Sequence, residues 1–195
     1  MSRLVKAFIR WLTRNILKIR LGTDSYLSIP YVSVTGGSYI ELGERSTIGK
    51  MAWLSAINSY KDQHFTPCIK IGADVTIGNY FCLTAIDNVS IANGCLISEH
   101  VYISDHGHGT DPNGGPPVSQ PLYSKGSVYI GENTFLGYRV SILPGVHLGR
   151  NCVVGAHSVV THSFPDYCVV AGVPARLLKQ YNPQTQTWHN AAIRA

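Results

Sequence analysis

Residues 130–161 read IGENTFLGYRVSILPGVHLGRNCVVGAHSVVT. An aliphatic residue with a following partner, usually small, recurs there every six positions: Ile130-Gly131, Leu136-Gly137, Ile142-Leu143, Leu148-Gly149, Val154-Gly155 and Val160-Thr161. A helix repeats about every 3.6 residues and a half-buried strand every two, so neither produces a sustained period of six. Working outward, the same spacing appears in Leu42-Gly43 and Ile48-Gly49, then in Ile71-Gly72, Ile77-Gly78 and Leu83-Thr84. After a slip of two residues it resumes in Ile91-Ala92, Ile97-Ser98 and Ile103-Ser104.

This repeat predicts a solenoid in which each hexad is one short strand and three hexads close one triangular coil of about eighteen residues. The aliphatic side chain points inward and stacks on its counterpart one coil away, at the strand spacing of about 4.8 Å. The small residue after it lets the chain turn a corner where a larger side chain would clash. One coil cannot bury its own faces, so only the stack is stable, and the region from about 36 to 172 has room for about six coils.

Two stretches break the ladder. Residues 55–68 (SAINSYKDQHFTPC) form a modest loop, and residues 104–127 (SDHGHGTDPNGGPPVSQPLYSKGS) form a long one dense in Gly and Pro. A long loop inside a compact repeat points to function or disorder.

Composition narrows the function classes. The 195 residues are 45% apolar and 14% charged, too apolar for disorder, and 19 Gly with 10 Pro exclude a long coiled coil. Lys and Arg number 16 against 11 Asp and Glu, a net of +5. That charge is local: Arg3, Lys6, Arg10, Arg14, Lys18 and Arg20 fall within the first 20 residues, where no acid occurs. The rest of the chain is near neutral and gives no support for nucleic-acid binding.

Residues 1 to about 22, within a segment 1–24, read as a basic amphipathic helix ended by Gly22. Leu4, Val5, Phe8, Ile9, Trp11, Leu12, Ile16 and Ile19 lie on one half of its wheel and the cations on the other. Such a helix packs on its own domain or a neighbouring subunit, or lies on a membrane surface. No apolar run of about twenty residues occurs to span a bilayer. The β-helix is expected over 25–173. After it, AGVPARLLKQY (171–181) turns off at Pro174 and is expected to continue as a short C-terminal helix within 174–195. The five cysteines, without a C-x-x-C, suggest a reducing cytosol and small buried thiols rather than disulfides or zinc.

The hexad ladder, the segment ISDHGHG (103–109) and the ending VVAGVPARLL (169–178) together resemble the hexapeptide-repeat acyltransferases. Within these the chain is most similar to the sugar O-acetyltransferases of bacterial surface-polysaccharide synthesis and to galactoside and maltose acetyltransferases. The resemblance implies an all-β solenoid, a left-handed parallel β-helix. It implies a cytoplasmic homotrimer with acetyl-CoA in the cleft between neighbouring subunits, acting on a sugar hydroxyl. The rivals are N-acetyl transfer to an amino-sugar nucleotide and a non-catalytic β-helix serving binding or assembly.

A sugar hydroxyl is a poor nucleophile and must lose its proton as it attacks a thioester, and a neutral imidazole suits that task near pH 7. By position in the family motif His106 is the base, with His108 second and better suited to contact the acceptor. A solvated loop histidine is the bland alternative. His106 and His108 would face one side of an extended strand, but no third ligand stands at a set spacing, so no metal is expected. Stacking arithmetic places Asp87 and Asn88 near the level of His106 as acceptor contacts, or as a turn that absorbs the two-residue slip. Asp105 is expected to be a poor orienter for His106, because adjacent strand residues point to opposite faces. For the donor, small residues at Gly137, Gly155 and Ala156 suit a pantetheine arm. By family position Phe135 matches an aromatic beside the donor, and Thr161, Arg176 and Lys179 match contacts to its nucleotide end. The Lys that usually follows Thr161 in the family is His162 here.

Overall fold

The computed structural model describes residues 3–191. A single α-helix, α1 (Arg3–Asn15), precedes a solenoid of short strands arranged in three sheets. The first sheet stacks Arg20–Leu21, Ile40–Leu42, Cys68–Ile71, Asn88–Ile91, Val128–Ile130 and His147–Leu148. The second begins at Tyr26–Leu27 and runs through Thr47–Ile48, Thr76–Ile77, Leu96–Ile97, Phe135–Leu136 and Val153–Val154 to Cys168–Gly172. The third runs from Ser33–Thr35 through Trp53–Ala56, Cys82–Ala85, Tyr102–Ser104 and Ser141–Ile142 to Val159–Val160. Pairing within each of these runs is parallel, so successive coils lie in register along the stack.

The predicted ladder is the core. Leu21, Leu42, Ile71, Ile91, Ile130 and Leu148 stack along the first sheet, partner on partner. Leu27, Ile48, Ile77, Ile97, Leu136, Val154 and Val170 do so along the second. Leu54, Leu83, Ile103, Ile142 and Val160 form the third column. All are buried, and each fully buried Leu or Ile side chain contributes about 1.5–3 kcal/mol relative to exposure. The corners explain the small residue of each hexad. A Cβ on Gly43 would come within 2.4 Å of the Gly72 carbonyl in the next coil, and one on Gly131 within 2.4 Å of Gly149.

Two expectations fail at the ends. The helix does not reach Gly22 but stops at Asn15, and Arg20–Leu21 is already a solenoid strand paired with Glu41–Leu42. Ile19 and Leu21 gain more from burial in the ladder than from extending a helix, so tertiary packing overrides local periodicity. The solenoid therefore starts well before residue 36. The C-terminal helix is also absent. Ala175–Asn182 is a strand, antiparallel to Cys168–Gly172, and Thr187–Asn190 pairs with it in turn. The last coil leaves an open row of backbone N–H and C=O groups, and pairing with it outweighs the weak helical preference of ARLLKQY.

Candidate active site

The two breaks in the ladder, far apart in sequence, form one structure. In the long loop His106–His108 pairs antiparallel with Leu122–Ser124. Its tip is organised by Gln120, whose amide donates to the Asp111 and Gly115 carbonyls, both at 2.8 Å, and accepts from the Asp111 N–H at 3.0 Å. The short loop holds this hairpin in place. The Gln63 side chain donates to the Leu122 carbonyl at 3.0 Å and accepts from the Leu122 N–H at 2.7 Å, and the Tyr60 hydroxyl donates to the Val118 carbonyl at 2.7 Å. The Tyr60 ring also meets His108 edge-on, with centroids 5.6 Å apart.

At the base of the hairpin, His106 Nδ1 lies 2.8 Å from Oδ1 of Asp105, a residue with no exposed surface. The carboxylate is held by the preceding coil: the Ile86 N–H donates to Oδ1 at 3.0 Å and the Asp87 N–H to Oδ2 at 2.8 Å. A buried carboxylate needs such partners, and it can only accept. Nδ1 therefore carries the ring proton, which leaves Nε2 as the basic nitrogen. The imidazole is 10% exposed, enough to meet a reactant while its orientation is fixed. Below it, Ser104 Oγ donates to the His106 carbonyl at 2.9 Å and accepts from Thr84 Oγ1 at 3.1 Å.

This corrects the expectation for Asp105. The strand Tyr102–Ser104 ends before it and His106–His108 begins after it, so the residue sits at a bend where strand alternation does not apply. Glu99, the other acid near this level, accepts from Asn79 Nδ2 at a corner of the stack instead.

Beside the hairpin lies an open cavity of about 500 Å³ whose lining includes His64, Phe65, Ile86, Asp87, Leu122 and Ser124. Asp87 is thus brought to the site, with its N–H on the Asp105 carboxylate and its carbonyl accepting from the Cys68 N–H at 2.7 Å. Asn88 heads the strand Asn88–Ile91, opposite Cys68, and its side-chain oxygen accepts from Ser90 Oγ at 3.4 Å. His108 stands exposed at the far end of its strand, against Tyr60.

The residues expected to meet the donor fall elsewhere. Phe135, Val153, Val169 and Lys179 occupy successive positions across the second sheet, where Phe135 is 38% exposed. Gly137, Gly155 and Ala156 follow at the next corner, and Arg176 pairs with Ala171. The glycines have a sufficient cause within the stack: a Cβ on Gly137 would meet Val154 O at 2.8 Å, and one on Gly155 would meet Ala171 Cβ at 2.9 Å. Thr161 lies apart, after the third-sheet strand Val159–Val160, with its hydroxyl 3.2 Å from His162 Nδ1. Arg176 and Lys179 are exposed strand residues rather than helix residues.

Of the cysteines, Cys95, Cys152 and Cys168 are buried, Cys82 is half-buried and Cys68 is exposed, against the expectation that all are core thiols. Burial pushes the Cys95 and Cys168 thiols up to about 11 and raises Cys82 and Cys152 as well. Among the described residues no group of three or more His, Cys, Asp or Glu could hold a metal ion.

The sequence family described as bacterial transferase hexapeptide (six repeats) matches residues 127–162. The chain is 39% identical over 124 residues to WbbJ of Escherichia coli K12, named as a lipopolysaccharide biosynthesis O-acetyl transferase, covering 60% of this chain and 63% of that protein. The chain thus spans less than two thirds of WbbJ's length. It is 32% identical over 155 residues to the galactoside O-acetyltransferase of the same organism, covering 74% of this chain and 68% of the relative. Among solved structures it resembles AntD, an N-acyltransferase from Bacillus cereus solved with dTDP and 3-hydroxybutyryl-CoA, with a TM-score of 0.71 at 21% identity over 95% of this chain and 91% of that one. The parallel sheets fit the left-handed β-helix of such proteins. On the ladder, the overlap with the galactoside enzyme and the shared fold, the chain belongs to the bacterial hexapeptide-repeat transferase family.

Proposed function

We propose that the chain is an acetyl-CoA-dependent O-acetyltransferase acting on a sugar hydroxyl of a surface-polysaccharide precursor. The observation that carries this reading is the buried Asp105 carboxylate 2.8 Å from His106 Nδ1, which fixes the imidazole on a hairpin whose Leu122 and Ser124 line an open cavity. His106 Nε2 accepts the hydroxyl proton as the oxygen attacks the thioester carbonyl carbon. Asp105 balances the imidazolium charge, and the tetrahedral adduct collapses with expulsion of the coenzyme A thiolate, which takes up the proton from Nε2. The transfer is direct, with no acyl-enzyme. Asp87 lines the acceptor side, joined by Asn88 and His108 in the fuller reading, and Phe135, Gly137, Gly155, Ala156, Thr161, Arg176 and Lys179 face the donor.

The finer assembly belongs to the same proposal: a cytoplasmic homotrimer of left-handed β-helices, each of about six triangular coils between Arg20 and Gly172. The helix Arg3–Asn15 is its basic arm, and the strands Ala175–Asn182 and Thr187–Asn190 cover the last coil. What supports a site between subunits is that the expected donor residues lie mostly on the second sheet and its corner, whereas His106 follows the third. The test is a screen of sugar nucleotides and lipid-linked sugars with acetyl-CoA, following free thiol and mapping the acetyl group on the product. Thiol release that depends on a hydroxyl acceptor is expected. Acetylation of an amine would replace the O-transfer reading, and no acceptor-dependent release across the screen would remove it.

A further inference from the structure

Helix α1 packs on the solenoid in an unexpected orientation. The side chains it buries are Ile9 and Thr13, which are 1% exposed. At roughly 100° per residue the opposite side carries Leu4, Phe8 and Trp11. These are 84%, 58% and 55% exposed, so most of the helix's apolar stripe faces away from the protein. The cations lie alongside and tie the helix to the first coil through main-chain carbonyls: Arg10 donates to Ser25 and Gly22, and Arg14 to Leu21 at 2.7 Å. Lys6 lies over the Tyr26 ring, 5.6 Å from its centroid. A cavity of about 560 Å³ opens between helix and first coil, where Lys6, Arg10 and Arg14 face one carboxylate, Asp24.

We infer that this face docks on an anionic phospholipid surface. Leu4, Phe8 and Trp11 enter the acyl boundary while the positive charge of Lys6, Arg10 and Arg14 attracts the lipid phosphates at the level of the headgroups. The charge decides between occupants. A two-fold contact between copies would set one group of cations against the same group on the partner, whereas an acidic membrane neutralises them. At 13 residues α1 is about 20 Å long, too short to cross the hydrocarbon core, and it therefore lies in the interface plane. Among the described residues no helix is long and apolar enough to cross a membrane.

The inference stands apart from the acyl-transfer reading, because binding to vesicles needs neither donor nor acceptor. The test is co-sedimentation of the full chain with vesicles of equal parts phosphatidylcholine and phosphatidylglycerol, against phosphatidylcholine alone, at rising salt. Pelleting should require phosphatidylglycerol and weaken with salt. Leu4→Ser, Phe8→Ser and Trp11→Ser together should lower the partition coefficient on the order of 100-fold. Elution volume and melting temperature should stay unchanged, since these side chains touch solvent. Lys6→Glu should weaken binding with the apolar face intact. Pelleting without phosphatidylglycerol dependence, or undiminished in the triple variant, would overturn the inference. So would a change of elution volume in that variant, which would assign the face to contacts between copies.

Discussion

The second sheet and the end of the third are built from the same hexads and behave oppositely. Along the second sheet, Leu96, Phe135, Val153 and Val169 follow one another in parallel register from coil to coil without interruption. Along the third, the chain leaves the stack twice, after Trp53–Ala56 and after Tyr102–Ser104, and the two departures fasten to each other through Gln63 and Leu122. The difference shows how a repeat acquires a site. A perfect ladder has no unsatisfied group to offer, whereas a break frees side chains such as Asp105 and His106 while the coil beneath still supplies Ile86 and Asp87 as rigid donors.

Variants at the two places should separate activity from stability. His106→Ala should lower acceptor-dependent thiol release by about 10²–10⁴-fold, the usual worth of a general base, while the buried Asp105 carboxylate keeps its two N–H donors and the protein stays folded. Ile142→Ala, in the ladder, should do the reverse, costing about 2–5 kcal/mol of stability in a denaturant titration while the folded fraction keeps its turnover. Asp105→Asn should slow turnover by about 10–100-fold, equivalent to a charge-assisted hydrogen bond of about 1.5–3 kcal/mol. Gln63→Ala removes two hydrogen bonds to Leu122, each worth about 1 kcal/mol, and should raise the acceptor KM a few-fold more than it changes kcat. The smallest effect concerns the thiols. Burial raises Cys82, Cys95, Cys152 and Cys168, so their labelling at pH 8 should be slow, and that of Cys95 and Cys168 should become appreciable only as pH approaches 11. A single fast-reacting thiol, lost in Cys68→Ser, is the expected count in the native protein.

Much of this was legible in the sequence. Period six marks most of the three core columns, though not Leu21, Leu27, Leu54 or Val170, because a stacked coil tolerates only aliphatic side chains inward and small ones at tight corners. The level of Asp87 beside the Asp105–His106 pair follows from stacking arithmetic, and the role proposed for His106 rests on the motif around it. Asp105 escapes strand alternation because it sits at a bend between two strands. The contribution of Gln63 and Gln120 was invisible, since a glutamine that closes a loop with main-chain hydrogen bonds has no pattern in one dimension. The C-terminal helix failed for another reason: ARLLKQY carries a local preference, but the open edge of the last coil offers a stronger partner. For α1 the wheel was right about the two faces and silent about which would pack.

Whether Asp105 acts through His106 as one unit is tested most directly by a double-mutant cycle. Thiol release would be measured for wild type, Asp105→Asn, His106→Ala and the double variant on one acceptor. Once the base is gone the carboxylate has nothing to orient, so the double variant should be no slower than His106→Ala alone. A double variant slower by the full product of the two single effects would contradict the coupling, and full turnover in His106→Ala would contradict the mechanism itself.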